Sequence, residues 1–255
     1  MATIIRLKNV QFSNNALPVV TPFVRNGLVA AWRFANGPES LIDLSGNGRQ
    51  LTEKGSVSYT ELGILGDQDN GFLTDVNESN DVTLMAVWRA TSEEEGAKAF
   101  AVGNFFNDTS PDRGLSIWYQ RDNANNSMAS KSQCHYYNTG TGLIGNEIVE
   151  SKMTPIDQNF TFTALTVNTN ENSQSLYVPK NNSKLVRSDP AKSYAQREIS
   201  SMPFEICSTP DVWNNNGGIE VAEVIIYNKA LSEAEVLEQY ELSKQFHKSV
   251  RGIDV

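Results

Sequence analysis

Two carboxylates in GGIEVAEVIIY, Glu220 and Glu223, stand three residues apart on a segment rich in β-branched and aromatic residues. That composition suits a strand, and acid pairs on sheets are how many carbohydrate-cleaving enzymes work. One carboxyl protonates the leaving oxygen while the other, about 5 Å away in retaining enzymes, attacks the sugar. The remaining chemistry-bearing groups are sparse. The chain has only two histidines, His135 and His247, and no G-x-S-x-G elbow, H-E-x-x-H pair or glycine-rich phosphate loop. Asp211, Trp213, Asn214 and Asn215 sit together in TPDVWNNNGG. An indole face stacks on the C–H groups of a sugar while carboxylate and amide groups bond its hydroxyls, so this loop is the candidate glycan site. The competing reading folds Trp213 back over the edge of the domain. Asp67, Asp69 and Asn70 in LGDQDNG, and Asn107, Asp108 and Asp112 in NDTSPDRG, offer oxygen ligands for calcium. Neither group has the ordered spacing of an EF-hand loop, and solvated turns explain both.

These groups must be positioned by short alternating segments. LVAAWRF, VTLMAVWRA, RGLSIWYQR, NFTFTALTV, QSLYVP, FEICS and VAEVIIY read as strands, separated by Asn/Asp/Gly/Ser-rich turns such as DLSGNGRQ and NTNENSQ. After Asn228 the period changes. Ser232 and Glu235 have the spacing of a capping box, and Leu231 and Val236 that of a hydrophobic staple, so a short helix begins there. Glu233 and Glu235 then lie in its first turn, where the dipole favours negative charge. Many strands with one late helix predict an all-β antiparallel jelly-roll sandwich.

The chain has 255 residues and a formal net charge of −9. That length fits one β domain, and the acidic balance argues against nucleic acid as a partner. No run approaches the roughly 20 apolar residues of a membrane span, and MATIIRLKNVQFSNN lacks the apolar core of a signal peptide. The expectation is a protein without membrane insertion that is not exported by the usual route. Cys134 and Cys207 do not amount to a disulfide framework, and both are expected as free, buried thiols.

GLVAAWRFANG followed by DLSGNGRQ resembles the opening of laminin G-like and pentraxin-like members of the concanavalin A-like lectin/glucanase superfamily. FEICS followed by GGIEVAEVIIYNKALSEAEV is similar to their closing strand and helix, and FTFTALTVNTNENSQSLYVPKNN resembles their hairpin ending in an LYV motif. The resemblance implies a jelly roll over residues 27–243 whose first and last core strands pair, with an extended arm at 1–26 and a tail at 244–255. Val224 and Ile226 then point inward, and Glu223 faces the other way, opposite Arg33. This would be a structural pair worth a few tenths of a kcal/mol up to about one, with Glu220 preceding the strand near a glycine turn. Neither acid is assigned a catalytic role. The resemblance leaves calcium open and requires no cofactor.

The family's retaining glycosidases carry a tighter acid cluster that this chain lacks. SQCHYY, with Gln133 and His135, resembles the Gln-x-His of alginate lyases of related sandwich fold, although the Arg-Glu-Leu-Arg strand of those enzymes is missing. A polysaccharide-cleaving enzyme is therefore the alternative reading. The favoured one follows from the opening MATIIRLKNVQFSNNALPVVTPFV, similar in style to laminin G-like proteins encoded by bacteriophages and prophages. It expects a non-catalytic virion protein, made in the bacterial cytoplasm. Residues 1–26 would dock on other virion proteins or on a homo-oligomer such as a trimer, and the sandwich would touch a cell-surface glycan. Pro18 and Pro22 bar the arm from a regular central strand, while Ile4, Ile5, Leu7, Val10 and Phe12 make it too apolar for a free tail.

Overall fold

The computed structural model describes residues 22–106, 113–210 and 216–255. The strands follow in the order β1 (Leu28–Arg33), β2 (Leu51–Lys54), β3 (Ser58–Tyr59), β4 (Ile64–Gly66), β5 (Gly71–Thr74), β6 (Val82–Ala90), β7 (Lys98–Gly103) and β8 (Leu115–Asp122). They continue with β9 (Ser127–Asn138), β10 (Ile144–Met153), β11 (Thr161–Asn168), β12 (Ser173–Val178), β13 (Ser183–Ser188), β14 (Lys192–Ser193), β15 (Glu205–Ile206) and β16 (Ile219–Tyr227). Helix α1 (Glu233–Phe246) and a π-helical turn, His247–Arg251, complete the chain.

The strands form two antiparallel sheets, so the fold is an all-β jelly-roll sandwich with one C-terminal α-helix among the described residues. The first sheet runs β13-β12-β11-β6-β16-β4-β3, with β1 also on β16, and the second runs β10-β9-β8-β7-β15-β5-β2, with β14 on β9. Alternation decides which side chains meet between them. Trp32, Leu84, Trp88, Val224 and Ile226 of the first sheet enclose one core with Ile117, Tyr119, Cys134 and Ile206 of the second. The other face of the first sheet is also covered. Met85, Val87, Phe162, Ile225 and Tyr227 lie beneath Val236 and Tyr240 of α1, together with Phe23, Val24 and Val255. Strands buried on both faces lose the alternation of a half-exposed strand, which is why VTLMAVWRA and VAEVIIY read as nearly continuous apolar runs.

α1 starts as its sequence dictates. The Ser232 side chain accepts from the Glu235 N–H, and the Glu235 carboxylate accepts in return from the Ser232 N–H. Two boundaries differ from expectation. The domain limit at residue 243 falls inside α1, and residues 244–255 are no free tail, because His247 and Val255 are buried against the first sheet. Glu220 lies within β16, not before it. The pairing of β16 with β4 through Ile219, Glu220 and Val221 extends the strand past the apolar run. Residues 1–21, the larger part of the expected arm, lie outside the described residues. Its last residues do not hang free, since Phe23 and Val24 are buried on the sandwich. No helix among the described residues is long and apolar enough to cross a membrane.

Candidate functional site

A shift in the pairing of β16 with β6 between Val221 and Glu223 is a local bulge that interrupts strict alternation. Each acid of the opening pair has its own arginine. Arg89 donates from Nε to Glu220 at 2.6 Å, and the Thr60 hydroxyl bonds the same carboxylate. Arg33 donates from Nε to Glu223 at 3.1 Å, and His247 Nε2 lies 2.8 Å from its other oxygen. Both carboxylates are 1% exposed, so neither stands in an open groove. Burial alone would raise the Glu223 carboxyl, but the His247 bond and the Arg33 charge outweigh it and hold it below the ordinary value.

The calcium candidates divide. Asp67 Oδ1 accepts from the backbone N–H groups of Asp69 and Asn70 and from the Asn70 amide, and Asn70 Oδ1 accepts from the Ser56 N–H. These oxygens close a turn on themselves. Among the described residues, no group of three or more His, Cys, Asp or Glu side chains is placed to hold a metal ion. Asn107, Asp108 and Asp112 lie outside the described residues, as do Asp211, Trp213, Asn214 and Asn215.

The described residues that gather the most binding chemistry are on the outer face of the second sheet. Ile117, Tyr119, Cys134 and Ile206 point into the core, so their neighbours point out. The registers place Phe100, Trp118, Lys131 and Glu150 in one transverse row. The next row holds Glu205, Gly103, Ser116, Gln133 and Ile148. Beyond it Phe105 stacks on His135 at 5.2 Å between centroids. A polar row thus lies between two aromatic ones. Gly103 is required in it, because a Cβ there would meet the Ser116 Cβ at 2.3 Å.

Floor and rim differ in exposure. Ser116, Gln133 and His135 are 0% exposed, and Trp118 is 2% exposed. The Ser116 hydroxyl and both amide atoms of Gln133 are buried with no hydrogen-bond partner. The rim lies toward β10. There Lys131 stands 5.0 Å from the Trp118 ring and bonds Gln120 at 2.8 Å and Glu150 at 3.0 Å. Lys131 and Glu150, with Gln120, Arg121 and Lys152, line a half-open depression of about 370 Å³. At the opposite edge Lys54 Nζ holds Glu205 at 2.8 Å.

Gln133 and His135 therefore share one face, as their spacing requires, but His135 Nδ1 is engaged at 2.9 Å with the Gly114 carbonyl. Trp118, Phe100, Ser116 and Lys131 were not read as site residues. The strand of Ser116 and Trp118 is legible, but its face is not, because GLSIWYQ has large side chains on both sides; the strands of Phe100 and Lys131 are not among those the sequence marks. The Thr209 hydroxyl donates to the Phe105 carbonyl at 2.8 Å, and the Gly217 N–H donates to the Lys98 carbonyl at 2.9 Å.

No family model matches the chain, and no curated protein matches it in sequence. Solved structures do match in fold. The binding domain of Paraclostridial Mosquitocidal Protein 1 superposes with a TM-score of 0.58 at 19% identity, covering 87% of this chain and 53% of that one. The Botulinum neurotoxin serotype G binding domain gives 0.59 at 10% identity, covering 86% and 52%. The serotype D ligand binding domain, solved in complex with N-acetylneuraminic acid, gives 0.56 at 10% identity, covering 86% and 51%. The chain spans about half the length of these structures. At such identities the likeness is one of β-sandwich fold.

Proposed function

We propose that the protein is a non-catalytic, lectin-like binding module that takes a glycan on the outer face of its second sheet. The observation that carries this reading is the polar row between aromatic rows, in which the Gln133 amide and Ser116 hydroxyl are buried without partners, in contrast to the paired Glu220 and Glu223. Because Gln133 and Ser116 are 0% exposed, a glycan meets them only by uncovering the row from the rim depression. Leaving such groups unpaired costs on the order of 1–3 kcal/mol each. A sugar suits the arrangement: its hydroxyls bond an amide, and its C–H faces lie on rings. Asp211, Trp213, Asn214 and Asn215, whose residue types suit a sugar, belong to the same proposed site. The fold likeness to toxin binding domains, one of them holding a sialic acid, supports the choice of ligand class. In the same reading the module belongs to a phage particle and is carried there by residues 1–26, alone or as a homo-oligomer.

One observation favours a second reading, polysaccharide lyase activity: Gln133 and His135 point to the same face. A glycan array that includes glycans ending in N-acetylneuraminic acid, run beside an activity screen on acidic polysaccharides, separates the two. Binding that weakens at least tenfold in both Gln133→Leu and Trp213→Ala, with no product release, is the expected outcome. Absence of binding to every glycan would overturn the proposal. Unsaturated products that vanish in His135→Ala would establish the lyase.

A further inference from the structure

We propose that His247 is an acid-sensitive latch that ties residues 22–24 and 247–255 to the first sheet and releases both when its surroundings become acidic.

The latch is a single node of contacts. His247 is 0% exposed. Its Nε2 lies 2.8 Å from Glu223 Oε2 on β16, and its Nδ1 is buried with no hydrogen-bond partner. Glu223 is held in turn by Arg33 of β1, whose guanidinium lies over the ring of Phe23 at 4.6 Å and over that of Phe246 at 3.8 Å. Arg33 Nη2 also donates to the Pro22 carbonyl at 3.3 Å, and the Val24 N–H donates to Gln239 of α1 at 2.9 Å. On the C-terminal side Arg251 donates to the carbonyls of Leu62 at 2.9 Å and Ala222 at 3.2 Å. The entry of the chain into the sandwich and its C-terminal turn thus share one buried carboxylate.

Charge decides what a proton does here. The groups facing His247 are Glu223 from β16, Arg33 from β1 and Arg251 from its own turn, one negative charge against two positive. A proton on Nδ1 would add a third positive charge and a buried donor with no acceptor, a combination that is strongly disfavoured. Burial accordingly holds the imidazole below its ordinary value, with Glu223 offsetting only part of the effect and Arg251 and Arg33 adding to it. A histidine depressed in the folded state contributes stability that is full above the unfolded value of about 6.5 and is lost as pH falls below it. Glu223, also depressed, gives way only below about 4.5, so the histidine acts first.

With two histidines in the chain, the imidazole signals can be assigned and titrated in the intact protein, His135 serving as the internal comparison. Hydrogen exchange at residues 22–26 and 247–255 is followed over the same range, from about pH 7.5 to about pH 5. His247 is expected to titrate below about 6.5. Exchange in both segments, the ends of the described sandwich, should rise at least tenfold beyond the intrinsic pH effect while β8 and β9 stay protected. In His247→Gln, where the amide still donates to Glu223, exchange at the ends should not change with pH. A His247 that titrates at or above 6.5, ends that stay protected, or the same rise in the glutamine variant would each overturn the latch. The wild-type titration decides even if that variant fails to fold.

Discussion

Arg33 and Glu223 meet at 3.1 Å across adjacent antiparallel strands, with side chains only 8% and 1% exposed. An exposed cross-strand pair would be worth a fraction of a kcal/mol, but removing one partner of a buried pair leaves the other charge uncompensated and costs about 3–5 kcal/mol. Glu223→Gln is therefore expected to lower stability by about 3 kcal/mol in urea unfolding at neutral pH. Ligand binding at the second sheet should be unchanged, because this pair lies on the outer side of the first. A loss under 1 kcal/mol, the size of an ordinary surface pair, would show that this carboxylate is exposed to water.

The two thiols give a second prediction. Cys134 and Cys207 are free and fully buried. Burial pushes the Cys134 thiol up to about 12, and burial with the nearby Asp67 and Glu220 charges raises Cys207 further still. The thiolate is the reactive form. Neither cysteine should react with a thiol reagent in the native protein near pH 8, and both should react once it unfolds. Rapid native labelling of either would contradict the packing.

How far the sequence carried these conclusions depended on what each strand buries. β1, β6, β11, β12 and β16 are legible because each carries large apolar side chains, Trp32, Trp88, Phe162, Leu176 and Ile226 among them. β9 is not, although it has 12 residues. Its inward residues are Met128, Ser130, Ser132 and Cys134, and the serines bond across the sandwich, Ser130 to Thr163 at 2.9 Å and Ser132 to Gln174 at 3.0 Å. A core that is hydrogen-bonded leaves no hydrophobic period to read. The candidate site was hidden for a related reason. The spacing of Gln133 and His135 was visible, but their row becomes a site only beside Ser116, Trp118 and Phe100, which pairing brings in from two other strands. Local signals fared better, as the capping box at Ser232 shows.

That capping box is the subject of the third prediction. Ser232→Ala removes the acceptor for the Glu235 N–H at the start of α1, and such a loss costs about 1 kcal/mol. Because α1 covers the outer face of the first sheet through Val236 and Tyr240, the loss should appear in global unfolding and not only as fraying. Urea unfolding with an unchanged slope and a lower midpoint is the expected signature. Helix loss that precedes the main transition would mean that α1 is not part of the cooperative unit.

The last prediction sets stability against function at Gln133. A buried amide with neither atom bonded is a standing cost, since its removal from water is compensated by nothing within the protein. Leucine is close to glutamine in volume and carries no polar atom. If Gln133 served only to fill space, Gln133→Leu would stabilise the protein by about 1–3 kcal/mol and change nothing else. If the amide is there for a sugar hydroxyl, the same substitution should raise the melting temperature and at the same time weaken glycan binding, because polar groups placed for a ligand are costly until the ligand is bound. Thermal unfolding and glycan titration on the one variant test both halves. Ser116→Ala should move both measurements in the same directions by smaller amounts, since a hydroxyl beside the amide shares its environment. A variant that gains stability and keeps full affinity would leave the row without a functional reason, and one that loses stability would show that the amide is satisfied within the fold.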